Sequence, residues 1–243
     1  MSIPSKARRR LACSALTLLF LAARAAAEPA PEPAMDSSLQ AEVDQFVAAD
    51  RRAPPAACRV LFVGSSSIVK WKQHLAADMA PLPVINRGFG GSQIEDLNQA
   101  FSQIVAPYRP RAIVFYAGEN DLDAGKSVER VVADFDAFIA RKSAVLGKTP
   151  VYFISLKPSK QRFAQLRLQA RVNDAIRARS AERSDLRFID VVPAMLENGR
   201  PKQLYVFDGL HMNRDGYAIW TRLVRAALLA NSEGDERSCR SAD

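Results

Sequence analysis

Apolar residues along the chain follow two alternating patterns. Short runs dense in Val, Ile and Phe occur at Arg59 to Val63, Val84 to Arg87, Ala112 to Ala117, Val151 to Leu156 and Arg187 to Val191. They show little polar alternation, which is what strands buried on both faces require. Between them lie stretches with apolar residues three and four apart, the clearest being Val128, Val131, Val132, Phe135 and Ile139, and these predict amphipathic helices. A further helix is predicted from Asp36 to Asp50, where Leu39, Val43, Phe46 and Val47 share a face. Strand and helix alternating five times predict an α/β fold with a five-stranded parallel sheet and helices on both sides. In such sheets ligands bind beyond the carboxyl ends of the strands, so reactive side chains are expected just after each strand.

The first 27 residues break the alternation. A basic stretch from Lys6 to Arg10, an apolar run from Leu11 to Ala23 and the small residues Ala25, Ala26 and Ala27 have the three parts of an export signal. Residues 1–27 are therefore expected to be a signal peptide cleaved near Ala27, leaving an exported, periplasmic or secreted protein. The apolar run is short for a membrane helix, and no later segment reaches the roughly 18 apolar residues such a helix needs, so no stable membrane insertion is expected after cleavage. Residues 28–35 (EPAPEPAM) read as a Pro-rich linker, 36–230 as one domain and 231–243 as a polar tail. Export leaves Cys58 and Cys239 in a compartment that permits disulfides, with pairing and two separate thiols both open.

Composition narrows the partners. With 48% hydrophobic and 25% charged residues in 243, a disordered chain and a disulfide-dense miniature are excluded. The formal charge of +8 suggests nucleic acid until it is located: five basic residues (Lys6, Arg8, Arg9, Arg10, Arg24) lie in the first 27, which hold no acid, leaving +3 elsewhere. No nucleic-acid partner is predicted from so mild a balance.

The segments after the strands carry the candidate chemistry. Gly64-Ser65-Ser66-Ser67 follows the first run and opens a helix, where a serine can face the cleft with its own N–H at the positive end of the helix dipole, or merely cap the helix. A nucleophilic serine needs a base, and the chain has two histidines. His74 lies eight residues past Ser66 on the same helix, about 12 Å along its axis, too far to share a proton. His211 remains, in Phe207-Asp208-Gly209-Leu210-His211 after the fifth run; Asp208, three residues earlier, would lie beside the imidazole in a helical turn and hold its Nδ1–H. Donors for an oxyanion are available in Asn86-Arg87-Gly88-Phe89-Gly90-Gly91-Ser92 after the second run and Gly118-Glu119-Asn120-Asp121 after the third. The glycines are not a dinucleotide fingerprint, since Gln93 stands where its third glycine belongs.

Four blocks in order, VLFVGSSSIVKW, NRGFGGSQIEDL, YAGEND and DGLHMN, spanning residues 60 to 213, resemble those of the SGNH hydrolases of the GDSL esterase and lipase group. The resemblance implies a three-layer α/β/α, flavodoxin-like fold. It places Ser66 on the nucleophile, His211 on the base and Asp208 on its orienting acid, and it places the Ser66 N–H, Gly91 and Asn120 on the oxyanion donors. It also implies an esterase acting on a small-molecule, carbohydrate or lipid ester. The family's Gly-Asp-Ser reads Gly64-Ser65-Ser66 here, which leaves Ser65 and Ser67 as alternatives to Ser66. With no long apolar insertion between the blocks, short acyl or acetyl groups are expected. A non-catalytic carbohydrate-binding protein on the same fold and an acyltransferase are the alternatives.

The remaining features are less specific. Tyr217 and Trp220 read as core packing or as walls of an acyl pocket. Lys157, Lys160 and Arg162 read as a solvated loop or as contacts to a polar substrate. Arg167, Arg171, Arg177, Arg179 and Arg183 read as the wet face of a helix, and Glu119 and Asp121 as braces for Asn120. No His, Cys and acid cluster has metal-ligand spacing, so neither metal nor other cofactor is expected.

Overall fold

Runs of apolar residues with no polar face can be satisfied only between two layers of helix. In the computed structural model, which describes residues 1–2, 34–232 and 234–235, they are. The elements in chain order are α1 (Ser37–Arg52), β1 (Val60–Gly64), α2 (Ser66–Met79), β2 (Val84–Gly88), α3 (Ile94–Gln99) and α4 (Phe101–Ile104), then β3 (Ala112–Tyr116), α5 (Glu119–Asp123), α6 (Val128–Leu146) and β4 (Val151–Ile154). They continue with α7 (Leu166–Glu182), β5 (Leu186–Ile189), α8 (Val192–Met195), a small hairpin of β6 (Leu196–Glu197) and β7 (Arg200–Pro201), and α9 (Arg214–Ala230). The five long strands form one all-parallel sheet in the order β2-β1-β3-β4-β5, the flavodoxin-like order, and the described residues from Met35 onward form one compact unit.

Strand alternation sends successive side chains to opposite layers. Phe62 and Tyr116 face one side, where they meet Trp71 of α2 and Trp220 of α9 at 5.7 and 4.7 Å between ring centroids. Phe115 and Phe153 face the other, against Phe135 of α6 at 5.2 and 5.1 Å. Trp71 and Trp220 are fully buried, each removing an aromatic surface worth on the order of 2–3 kcal/mol from water.

Strand ends differ from the sequence reading where a side chain takes over the ladder. β4 stops at Ile154 instead of Leu156 because the Leu156 N–H donates to Asn173 Oδ1 (2.7 Å) and its carbonyl accepts from Asn173 Nδ2 (3.1 Å). β5 stops at Ile189 because the Val191 N–H donates to Ser155 Oγ at 3.0 Å. Past Ala230 the described residues stay on the body: the Ser232 carbonyl accepts from Arg111 Nη2 (2.6 Å), and buried Asp235 accepts from Tyr152 Oη (2.6 Å).

Cys58 is disulfide-bonded. All but the first two residues of the expected signal peptide and most of the linker lie outside the described residues, as does most of the polar tail. Among the described residues no helix is long and apolar enough to cross a membrane.

Candidate active site

β1 ends in Gly64, at φ +144°, where a Cβ would lie 1.9 Å from the Tyr116 carbonyl oxygen of the adjacent strand. Only glycine lets β1 and β3 approach so closely as the chain turns out of the sheet. Ser65 is the extended residue before the helix, and α2 begins at Ser66. The Ser66 N–H is therefore one of the first-turn donors without an intrahelical acceptor. Ser65 and Ser67 are both buried, at 4% and 2% exposure, whereas Ser66 is partly open. The Ser65 N–H is held by the Tyr116 carbonyl at 3.0 Å, and the Ser67 carbonyl accepts from Tyr217 Oη at 2.9 Å. Of the three serines, Ser66 is the one set against a histidine.

Ser66 Oγ lies 3.1 Å from His211 Nε2, and His211 Nδ1 lies 2.6 Å from Asp208 Oδ2. The other Asp208 oxygen, Oδ1, accepts from the backbone N–H groups of Leu210 and His211, both at 2.9 Å. Against desolvation, which would raise it, the bonds from the His211 side chain and from the backbone of His211 and Leu210 hold the Asp208 carboxyl down at about 2. The local structure is not the helical turn expected from the spacing. The Gly209 N–H bonds the Val206 carbonyl at 3.0 Å in a tight turn, with Gly209 at φ +65° and the aspartate spanning the next two N–H groups. Nor does His211 come directly after β5, since α8 and the β6–β7 hairpin intervene. The segment is positioned instead by a bridge between Tyr205 and Met212 and by the Gln161 N–H, which donates to the Gly209 carbonyl at 3.0 Å.

The loops after β2 and β3 meet beside this array. The Phe89 N–H donates to the Gly64 carbonyl at 3.0 Å, so the 89–93 loop starts against the strand that carries the serines. Gly91 is exposed on that loop at φ +78°. Asn120 Nδ2 donates to the Ser92 carbonyl (3.0 Å), and fully buried Asp121 accepts from the Ile94 N–H (3.1 Å), so α5 ties down the Gly91 loop at two points. Burial pushes the Asp121 carboxyl up to about 6 despite the Lys126 ammonium at 3.3 Å. Sequence reasoning missed one contributor: Glu42 of α1 accepts from the Gly90 N–H at 3.0 Å, a contact 48 residues away in sequence that no local pattern signals.

Other singled-out residues fall elsewhere. Lys157 is not solvated: at 1% exposure it pairs with buried Glu119 at 2.7 Å, and Tyr116 Oη also donates to that carboxylate. A cation after β4 that sequence places in a loop is therefore the counter-ion of the carboxylate next to Asn120. Lys160 Nζ donates to Gln203 Oε1. Arg162 donates to Asn120 Oδ1 at 3.0 Å and pairs with Asp123 at 3.0 Å, in a loop that is neither free nor fully solvated. Tyr217 and Trp220 pack on Trp71 at 5.6 and 5.7 Å, in the core. Arg167, Arg171, Arg177 and Arg183 are exposed, while Arg179 is half-buried and held by both Asp136 oxygens. His74 is exposed on α2. Among the described residues no group of three or more His, Cys, Asp or Glu could hold a metal ion.

The chain matches the model of the GDSL-like lipase/acylhydrolase family over residues 56–219. Curated proteins give no match. Solved structures are similar in fold. A GDSL-like lipase from Bacteroides thetaiotaomicron is 18% identical with a TM-score of 0.66, over 77% of this chain and 97% of the other. A carbohydrate esterase family 3 protein from Talaromyces cellulolyticus is 16% identical with a TM-score of 0.58, over 71% and 97%. A mutant of an acetyl-xylooligosaccharide esterase from Geobacillus Stearmophilus is 16% identical with a TM-score of 0.57, over 70% and 93%. The matched segment runs from the strand before Ser66 to the helix after His211 and takes in both loops around Asn120; by that match the chain belongs to the GDSL-like lipase/acylhydrolase family, whose members hydrolyse esters.

Proposed function

We propose that the protein is an exported serine esterase that hydrolyses carboxylic esters of short acyl groups through an acyl-enzyme on Ser66. The observation that carries this reading is the continuous contact from Ser66 Oγ to His211 Nε2 (3.1 Å) and from Nδ1 to Asp208 (2.6 Å). In the proposed reaction His211 Nε2 takes the Ser66 hydroxyl proton as Oγ attacks the ester carbonyl carbon. Asp208 holds the imidazole in the tautomer that leaves Nε2 free, and it stabilises the imidazolium once formed. The carbonyl oxygen, now an oxyanion, is met by the Ser66 N–H, the Gly91 N–H and Asn120 Nδ2. The tetrahedral adduct collapses as His211 returns its proton to the leaving alkoxide, and water repeats the cycle to free the acid and Ser66.

Two observations favour a short acyl group. The connection from β1 to α2 is Ser65 alone and that from β3 to α5 is residues 117–118, so neither loop can fold over the site as a lid. Two of the similar structures are a carbohydrate esterase and a mutant of an acetyl-xylooligosaccharide esterase, which favours acetylated sugars as the alcohol side. Export rests on the signal-like residues 1–27.

A fluorophosphonate probe tests the reading. Covalent mass should appear on Ser66 and be absent in Ser66→Ala and His211→Ala, each of which should lose about 10⁴-fold or more in kcat. No labelling of the wild-type protein would point to a binding protein, and full activity of Ser66→Ala would move the nucleophile elsewhere. A rate profile over nitrophenyl esters should peak at short chains, and a maximum at long ones would refute the acyl preference.

A further inference from the structure

As an oxyanion donor, Asn120 would use a carboxamide whose two ends are nearly the same shape. Rotation by half a turn would exchange Nδ2, a donor, for Oδ1, an acceptor, and would turn a group that stabilises an oxyanion into one that repels it. Two contacts decide between these states. Nδ2 donates to the Ser92 carbonyl at 3.0 Å, and Oδ1 accepts from Arg162 Nη1 at 3.0 Å. In the exchanged state an oxygen would face the Ser92 carbonyl and an NH₂ would face a guanidinium, so both contacts would become repulsive.

The guanidinium is itself fixed. Its Nη2 donates to Asp123 Oδ2 at 3.0 Å, and Gln165 Nε2 holds the other oxygen of that carboxylate at 2.8 Å. The Arg162 backbone N–H donates to Ser159 Oγ at 3.2 Å, on a serine with no exposure, and the Arg162 side chain is only 11% exposed. Asn120 and Asp123 lie three residues apart on α5, on one face of the helix, so a single planar fork reaches both. A surface ion pair would need Asp123 alone; the second arm on Asn120 Oδ1 is what links the arginine to the site.

We propose that Arg162 is a positioning residue for the oxyanion site, holding the Asn120 carboxamide with Nδ2 toward the substrate and strengthening that N–H as a donor. A charge-assisted bond to the amide oxygen draws density from the nitrogen, and chains of such bonds reinforce one another. The effect grows as negative charge develops on the substrate oxygen, so it belongs to the transition state and should appear in kcat, not KM. The proposal rests on the reading of Asn120 as an oxyanion donor.

The test is a cycle of Asn120→Ala, Arg162→Ala and the double variant, assayed for kcat and KM with p-nitrophenyl acetate, alongside Ser66→Ala. Asn120→Ala should lose about 10²–10³-fold in kcat. Arg162→Ala should lose about 10- to 100-fold with KM within about twofold, and the double variant should be no slower than Asn120→Ala, because the arginine acts only through the asparagine. Arg162→Lys should recover part of the loss, and free guanidinium should raise kcat in Arg162→Ala but not in the double variant. If Arg162→Ala misfolds by circular dichroism, Arg162→Lys and Arg162→Gln carry the same cycle. Equal losses from removing Arg162 with and without Asn120, a wild-type kcat, or a raised KM with unchanged kcat would each overturn the proposal. Wild-type activity in Ser66→Ala or Asn120→Ala would instead overturn the reading beneath it.

Discussion

Replacing Asp208 by Asn keeps the size of the side chain and changes one oxygen into an NH₂, yet the structure argues for a large loss. The carboxylate serves three donors: His211 Nδ1 through Oδ2 and the backbone N–H groups of Leu210 and His211 through Oδ1. A carboxamide can keep its oxygen on the two backbone donors or on the imidazole, but not on both. Turning its NH₂ toward two N–H groups forfeits two bonds and leaves donors facing donors, at about 1–3 kcal/mol each for buried groups. The Asp208 side chain is 33% exposed, so water softens this, and roughly 2–4 kcal/mol is a fair range for the orientation preference. The favoured orientation points NH₂ at Nδ1, which must then accept, so the proton sits on Nε2, where it would block the proposed uptake of the Ser66 proton. At 1.36 kcal/mol per tenfold, that preference alone costs about 30- to 1000-fold in rate. Loss of the negative charge beside the imidazolium should bring the total to about 10³–10⁴.

Asp208→Ala removes more atoms but imposes no tautomer, because water can accept from Nδ1–H. The expected order is therefore wild type far above Asp208→Ala, with Asp208→Asn no better than Asp208→Ala. The assay is kcat with p-nitrophenyl acetate, paired with the rate of fluorophosphonate labelling, which reports Ser66 reactivity without deacylation. Urea midpoints of the three proteins would show that the fold is intact. An Asp208→Asn protein within tenfold of wild type, or clearly more active than Asp208→Ala, would refute the reasoning.

Three further outcomes follow from packing and charge. Gly64→Ala should cost more than the usual 1–3 kcal/mol of overpacking, since its Cβ would lie 1.9 Å from a strand carbonyl at φ +144°; soluble yield and urea midpoint check it. Lys157→Met should destabilise by about 3–5 kcal/mol in urea unfolding by leaving Glu119 unpaired, and adding Glu119→Leu should restore part of that loss. The Asp121 carboxyl is raised to about 6, so the native state binds its proton more tightly than the unfolded chain does, and stability is gained as pH falls and lost as pH rises through about 6. Relative to Asp121→Asn, the wild-type protein should gain about 2 kcal/mol in unfolding free energy between pH 7 and pH 4.5, and a flat difference across that range would contradict the burial argument.

By itself the sequence determined the layer architecture, because five short apolar runs with little polar alternation, separated by amphipathic helices, fit strands covered on both sides. It also nominated the candidate residues, because the α/β rule sends attention to the segments after strands: Ser66 and Asn120 follow β1 and β3 directly, whereas Asp208 and His211 come only after α8 and the β6–β7 hairpin. Only the tertiary structure separated the environments of the three serines: it sets Ser66 against His211 and holds buried Ser65 and Ser67 in contacts with Tyr116 and Tyr217, 51 and 150 residues away in sequence. It likewise decided that Lys157 is a buried counter-ion, that Glu42 holds the Gly90 N–H and that Arg162 holds Asn120. A charged side chain looks the same in sequence whether it ends in water or against a partner. Its partner here is 38, 48 or 42 residues distant, and no local period records a contact that only the folded chain creates.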